Sequence, residues 1–168
     1  MMIGALHHVT LTVRDIEASV RFYRDLLGLR VAMDMPMGNS LQKLLALDPG
    51  IGENARAVLM TQGDHLIGQV ELIQFSPPGA ATKPKRPGDP GVFQLCFEIR
   101  GEDLSALCDR LRSQGATFFA EAPVDFELKG YGHARAILLE DPDGVMVELI
   151  QLPTAEERKA YRTRGENR

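Results

Sequence analysis

The pentapeptide Val70-Glu71-Leu72-Ile73-Gln74 recurs letter for letter as Val147-Glu148-Leu149-Ile150-Gln151, 77 residues later. Self-similarity at a long period marks a repeated supersecondary unit, so it restricts the chain to folds that contain two copies of one motif. The openings of the copies also correspond: residues 8–14 match residues 94–100 in apolar pattern, 86 residues apart. A chain of 168 residues then holds two small modules within the size of one ordinary domain.

Each copy reads as βαβββ. His8, Thr10 and Thr12 alternate with Val9, Leu11 and Val13, the period of a strand with one apolar face. Asp15 is placed to cap a helix with the apolar stripe Ile16, Val20, Tyr23 and Leu27, and Gly28 ends it. The second copy repeats the stripe as Leu104, Leu107, Cys108 and Leu111, with Gly115 as the stop. Further strands are expected over 29–35, 55–61 and 68–75, with a short helix near 41–47. In the second half they are expected over 116–120, 134–140 and 145–152, the last two joined by the tight turn Asp141-Pro142-Asp143-Gly144. The organisation is therefore a first module over 1–75, a linker over 76–91 that carries half of the ten prolines, a second module over 92–152, and a charged tail over 153–168 that Thr154 and Glu157 open as a capping box.

Composition narrows the partners. A net charge of −4 and a pI near 5.6 argue against a grip on nucleic acid or an anionic membrane, and no apolar run approaches the length of a membrane span. Cys96 and Cys108 show no metal or disulfide spacing, and residues 1–11 lack the pattern of a secretory leader, so a reducing, cytoplasmic setting is expected. Neither a GxSxG nucleophile elbow nor a phosphate loop is present. A small molecule is the expected partner.

Strand parity points to a metal. If Val9, Leu11 and Val13, like Leu95, Phe97 and Ile99, lie against the helices, then His8 and Gln94 face the other way, while His7 turns toward the helices. The apolar parity of Val and Leu in the repeated pentapeptide turns Glu71 and Glu148 to the same side as His8 and Gln94. A carboxylate on an otherwise apolar strand is costly unless it is paired, hydrogen-bonded or bound to a cation. His8, Glu71, Gln94 and Glu148 would supply a mixed N,O ligand set for one divalent metal (Zn, Ni, Co, Mn or Fe(II)), provided the two sheets curl toward one another about a pseudo-twofold axis. Met33 and Met35 alternate toward that face as a pliable apolar wall. Tyr131, His133 and Arg135 follow Gly130 and read as a loop closing over an anionic substrate.

His8-Val9, Leu11, Val13, Asp15, Phe22-Tyr23, Leu27-Gly28-Leu29, Gly91, Gln94, Cys96-Phe97 and Asp141-Pro142-Asp143-Gly144 with Glu148-Leu149 together resemble the vicinal oxygen chelate superfamily. That group includes glyoxalase I, extradiol dioxygenases, methylmalonyl-CoA epimerase and bleomycin-binding proteins. The resemblance covers nearly the whole chain. It implies an α+β fold of two βαβββ modules related by a pseudo-twofold axis, forming an open cupped eight-stranded sheet with helices outside, one metal site, and a homodimer. It also implies that His8, Glu71, Gln94 and Glu148 occupy the ligand positions. One His, one Gln and two Glu is the inventory of certain glyoxalase I enzymes, with His and Gln in exchanged halves. A lyase or isomerase acting on a hemithioacetal or related α-hydroxycarbonyl through an enediolate is thereby implied, with Glu148 or Glu71 as general base. A dioxygenase, an epimerase and a metal-free sequestering protein of the same superfamily are the alternatives.

Overall fold

The computed structural model describes residues 3–48, 50–52, 54–63, 67–76, 78, 83 and 85–165. The chain divides into two compact units, Met1–Lys83 and Pro84–Arg168.

In the first unit, β1 (His8–Thr12), β2 (Arg30–Pro36), β3 (Arg56–Thr61) and β4 (Gln69–Gln74) form one sheet in the order β1-β4-β3-β2. β1 runs parallel to β4 and the other neighbours are antiparallel. Helix α1 (Ile16–Arg21) starts where Asp15 Oδ1 accepts from the backbone N–H of Glu17 and Ala18 at 3.0 and 3.1 Å. A single π-helical turn, Phe22–Leu26, continues it, and Gly28 leaves it at φ +80°. Ile16, Val20 and Tyr23 are buried, as are Val58, Met60, Val70 and Leu72 on one face of the sheet. A short helix, α2 (Asn39–Leu44), lies in the long β2–β3 connection.

In the second unit, β5 (Gln94–Glu98), β6 (Val124–Leu128), β7 (Gly132–Glu140) and β8 (Met146–Gln151) repeat the arrangement in the order β5-β8-β7-β6, with β5 parallel to β8. Helix α3 (Leu104–Ser113) is capped by Asp103 Oδ1, which accepts from Ser105 and Ala106 N–H at 2.9 and 3.1 Å. Its buried stripe is Leu104, Leu107, Cys108 and Leu111. Helix α4 (Ala155–Gly165) opens on Thr154, whose hydroxyl accepts from Glu157 N–H while the Glu157 carboxylate accepts from Thr154 N–H at 2.8 Å. Among the described residues no helix is long and apolar enough to cross a membrane.

Two local expectations are corrected. The segment 116–120 makes only an isolated bridge from Phe118 to Leu139, and the edge strand is β6, five residues that alternate Val-Asp-Phe-Glu-Leu. The apolar Phe118-Phe119 pair mimics a strand, but period-two alternation is what an edge strand needs. The segment around residue 133 is not a loop: the connection is a tight hairpin, with Tyr131 N–H donating to Leu128 C=O at 2.8 Å, and β7 is already formed at Gly132.

The repeated pentapeptide acquires a structural explanation. Val70 and Leu72, like Val147 and Leu149, are buried beneath the helix of their own unit. Two residues on, with the same parity, Gln74 Oε1 accepts from Ile16 N–H at 2.8 Å, and Gln151 Oε1 accepts from Leu104 N–H at 3.3 Å. Each pentapeptide thus packs its helix and also satisfies one of the orphan donors at its start.

Candidate active site

Register fixes which side chains share the sheet face turned away from the helices, because residues directly opposite on paired strands point the same way. In the first unit Thr10 pairs with Glu71, Glu71 with Leu59, and Leu59 with Met33. These four form one row across the sheet, with His8 two residues before Thr10 on the same side. The Thr10 hydroxyl donates to Glu71 Oε2 at 2.7 Å, and His8 Nε2 lies 3.6 Å from the same oxygen. The next row holds Met35, Ala57, Ile73 and Thr12. There Ile73 and Ala57 are buried with Met37 and Ala55, against Leu41, Leu47 and Phe75. Met33 and Met35 remain exposed.

The second unit repeats the first row with other chemistry. Cys96 pairs with Glu148, and Glu148 with Leu138. Gln94 Nε2 donates to Glu148 Oε2 at 2.6 Å. Cys96 occupies the place that Thr10 holds in the first unit, and its thiol is pushed up to about 12, first by desolvation and then by the charge and hydrogen bond of Glu148. The residue as a whole is exposed, and beside that carboxylate its sulfur is disfavoured as a thiolate.

Other expected residues are placed elsewhere. His7 does not turn to the helices: its Nδ1 sits 2.8 Å from His8 Nδ1, and both rings are exposed. Arg135 lies on the helix-side parity of β7, where it bonds Asp103 at 3.2 Å and Ser105 at 2.7 Å and pairs with Asp125 at 3.3 Å. These contacts tie β7 to the start of α3 and use up the guanidinium. His133 stacks edge-on against Tyr161 of α4, with ring centroids 6.4 Å apart. Tyr131 stands exposed on the hairpin. None of the three shares the Glu148 face.

Each unit therefore brings one carboxylate together with an imidazole or a carboxamide, His8 with Glu71 and Gln94 with Glu148. Among the described residues neither glutamate forms an ion pair with a lysine or arginine. An imidazole, an amide and two carboxylates, with no thiolate, are donors suited to a divalent ion of hard or borderline character. The donor types of each pair fit such a cation, while among the described residues no three His, Cys, Asp or Glu side chains gather as a metal cluster.

Comparison with known proteins agrees with the fold. Residues 5–149 match the family model described as the Glyoxalase/Bleomycin resistance protein/Dioxygenase superfamily. The chain is 30% identical over 156 residues to the ethylmalonyl-CoA/methylmalonyl-CoA epimerase of Cereibacter sphaeroides, covering 90% of this chain and 100% of that one. It is 24% identical over 151 residues to the lactoylglutathione lyase of Pseudomonas aeruginosa, with 86% and 81% covered. Among solved structures, a glyoxalase family protein from Bacillus cereus superimposes with a TM-score of 0.73 at 18% identity, over 92% of this chain and 97% of that chain.

Proposed function

The chain belongs to the glyoxalase/bleomycin resistance protein/dioxygenase superfamily, and from that premise we propose that it is a metal-dependent lyase or isomerase of glyoxalase I type. Its substrate would be a hemithioacetal or a related small α-hydroxycarbonyl. The observation that carries this reading is the equivalent placement of Glu71 and Glu148, each on the same strand of its unit's sheet and each held by a neutral side chain. His8 and Glu71 from one unit, with Gln94 and Glu148 from the other, would hold one divalent ion. When bound, that ion would act as a Lewis acid on adjacent substrate oxygens and acidify the C–H between them. The chain's own task is then proton transfer. One glutamate takes the proton from the carbon next to the carbonyl and returns it to the neighbouring carbon, a job for which a positioned carboxylate supplies about 10²- to 10⁴-fold. The Thr10 hydroxyl and the Gln94 amide orient the two carboxylates for it. Met33 and Leu59, in the row of Glu71, give the substrate an apolar neighbour.

A second reading is favoured by the full-length match to the Cereibacter epimerase. An epimerase uses the same proton abstraction next to a thioester carbonyl but returns the proton to the opposite face of the same carbon.

Metal analysis and turnover test both. One divalent ion per chain is expected, lost in Glu71→Gln and in Glu148→Gln alike, together with more than about 10²-fold of hemithioacetal turnover. Solvent deuterium entering the α-carbon of a coenzyme A thioester, without hemithioacetal turnover, selects the epimerase. A metal-replete chain that binds no ion, or keeps it in both variants, overturns the shared site.

A further inference from the structure

Two arginines 58 residues apart in sequence meet at the far end of β5. A groove of about 460 Å³ opens where β5 and β8 end and α4 begins, lined by Glu98, Arg100, Thr154, Arg158 and the backbone of Gly101. Arg158 is half-buried, and among the described residues no carboxylate forms an ion pair with it. The Glu98 carboxylate is taken by Arg100 at 2.6 Å. Arg100 first, and the charge of Arg158 at longer range, hold Glu98 below the usual carboxylate range. Arg158 also lines an adjoining groove of about 240 Å³, with Lys159 and Arg162, whose walls contain no acid. Four cations thus face one lining carboxylate, on a chain whose net charge is −4.

We propose that these joined grooves bind the phosphate groups of a small molecule, with Arg100 and Arg158 as the guanidinium pair. Planar forks holding two N–H donors each match phosphate oxygens, and a half-buried arginine without a carboxylate gains most from such a partner. Glu98 has the same strand parity as Gln94, and the four intervening steps of β5 span roughly 13 Å. A phosphate bound there would therefore belong to an elongated molecule whose other end reaches Glu148, such as a nucleotide-linked thioester. That use of the groove rests on the epimerase reading above, the second of the two; its affinity for phosphate does not.

The test is calorimetric titration of inorganic pyrophosphate, coenzyme A and pantetheine into the full chain, with metal removed so that the outcome is independent of the metal site. Saturable pyrophosphate binding is expected, weakened roughly tenfold in Arg158→Gln and in Arg100→Gln. It should be unchanged in Lys43→Gln, an exposed lysine on α2. Arg158→Lys, which keeps the charge but not the fork, should fall between, and it serves as the test if the glutamine variant does not fold. Coenzyme A binding tighter than pyrophosphate, with pantetheine not competing, identifies a nucleotide-linked ligand; equal affinity identifies free phosphate. No saturable binding, or binding that Arg158→Gln leaves intact, overturns the proposal.

Discussion

The two units share strand order, register and helix capping, yet they differ in what covers the glutamate face. In the first, the β2–β3 connection carries α2 and packs Met37, Leu41 and Leu47 over Ile73 and Ala57, so that Ile73 is 1% exposed. In the second, the β6–β7 connection is a hairpin turn, and Ile150, at the same place in the pentapeptide, is only half-buried. The side chains beside the two glutamates differ too: hydroxyl and imidazole beside Glu71, amide and thiol beside Glu148. The duplicated positions that stay alike fall on both faces: the Val, Leu and Gln of the pentapeptide pack and cap the helix, while its Glu and Ile lie on the opposite face. What diverges is the set of side chains that surrounds each glutamate and the segment that covers each isoleucine.

The largest effect that can break this comparison is at the matched isoleucines. Ile73→Ala should cost about 2–5 kcal/mol, because it opens a cavity under α2. Ile150→Ala should cost about 1 kcal/mol, because its side chain is already partly in water. Denaturant unfolding measures both, and equal costs would show that the α2 segment does not cover the first unit as described.

The matched glutamines give a smaller effect of the opposite kind, an expected likeness. Gln74→Ala and Gln151→Ala each strip an acceptor from the first turn of a helix and should cost about 0.5–2 kcal/mol, as caps do. Gln74 makes the shorter bond, 2.8 Å against 3.3 Å, but Gln151 Nε2 also donates to the Glu102 carbonyl at 3.2 Å, so the two losses should be alike. Glutamate at 74 keeps an acceptor oxygen and adds a charge that the helix N-terminus favours, so it should lose less than alanine, whereas at 151 it also forfeits the donor to the Glu102 carbonyl and should gain less. If both alanine variants unfold at the parent's denaturant midpoint, the pentapeptide recurs for some other reason.

Much of this architecture is legible along the chain because its causes are local. Asp15, Gly28 and the turn at residues 141–144 act within a few residues of themselves, and the parity of Val70, Leu72 and Glu71 needs only the period of a strand. The capping role of Gln74 was open to the same parity argument, since it shares the helix side with Leu72. What escapes is decided by distant partners. The π-helical turn at Phe22–Leu26 has no local breaker before Gly28. Arg135 looks like a free cation near a glycine until β7 carries it beneath Asp103 and Ser105. Arg100 and Arg158 form no motif, because only the return of α4 to the end of β5 joins them.

The smallest effects lie in the pH edges of the two units, and they have opposite signs. In the first, two hydrogen bonds from Arg56 hold the Asp34 carboxyl below the ordinary carboxylate value. That contribution is present above the unfolded carboxylate range and is lost as pH falls through the depressed folded value. In the second unit, α4 has no counterpart among the described residues of the first, and the Tyr161 hydroxyl anchors it by donating to Glu127. The hydrogen bond to Glu127, then desolvation and the carboxylate's charge, raise the phenol above its usual value. A raised acid keeps its full contribution below the unfolded phenol value and loses it as pH climbs through the folded one. Tyrosinate absorbance of the parent and of Glu127→Gln should therefore differ by one phenol, Tyr161, which the substitution brings back toward the ordinary range. Asp34→Asn should instead flatten the acid side of the unfolding curve and leave the alkaline side alone. If Glu127→Gln does not advance the titration of Tyr161, α4 is held by its stacking on His133, and the alkaline edge belongs to some other group.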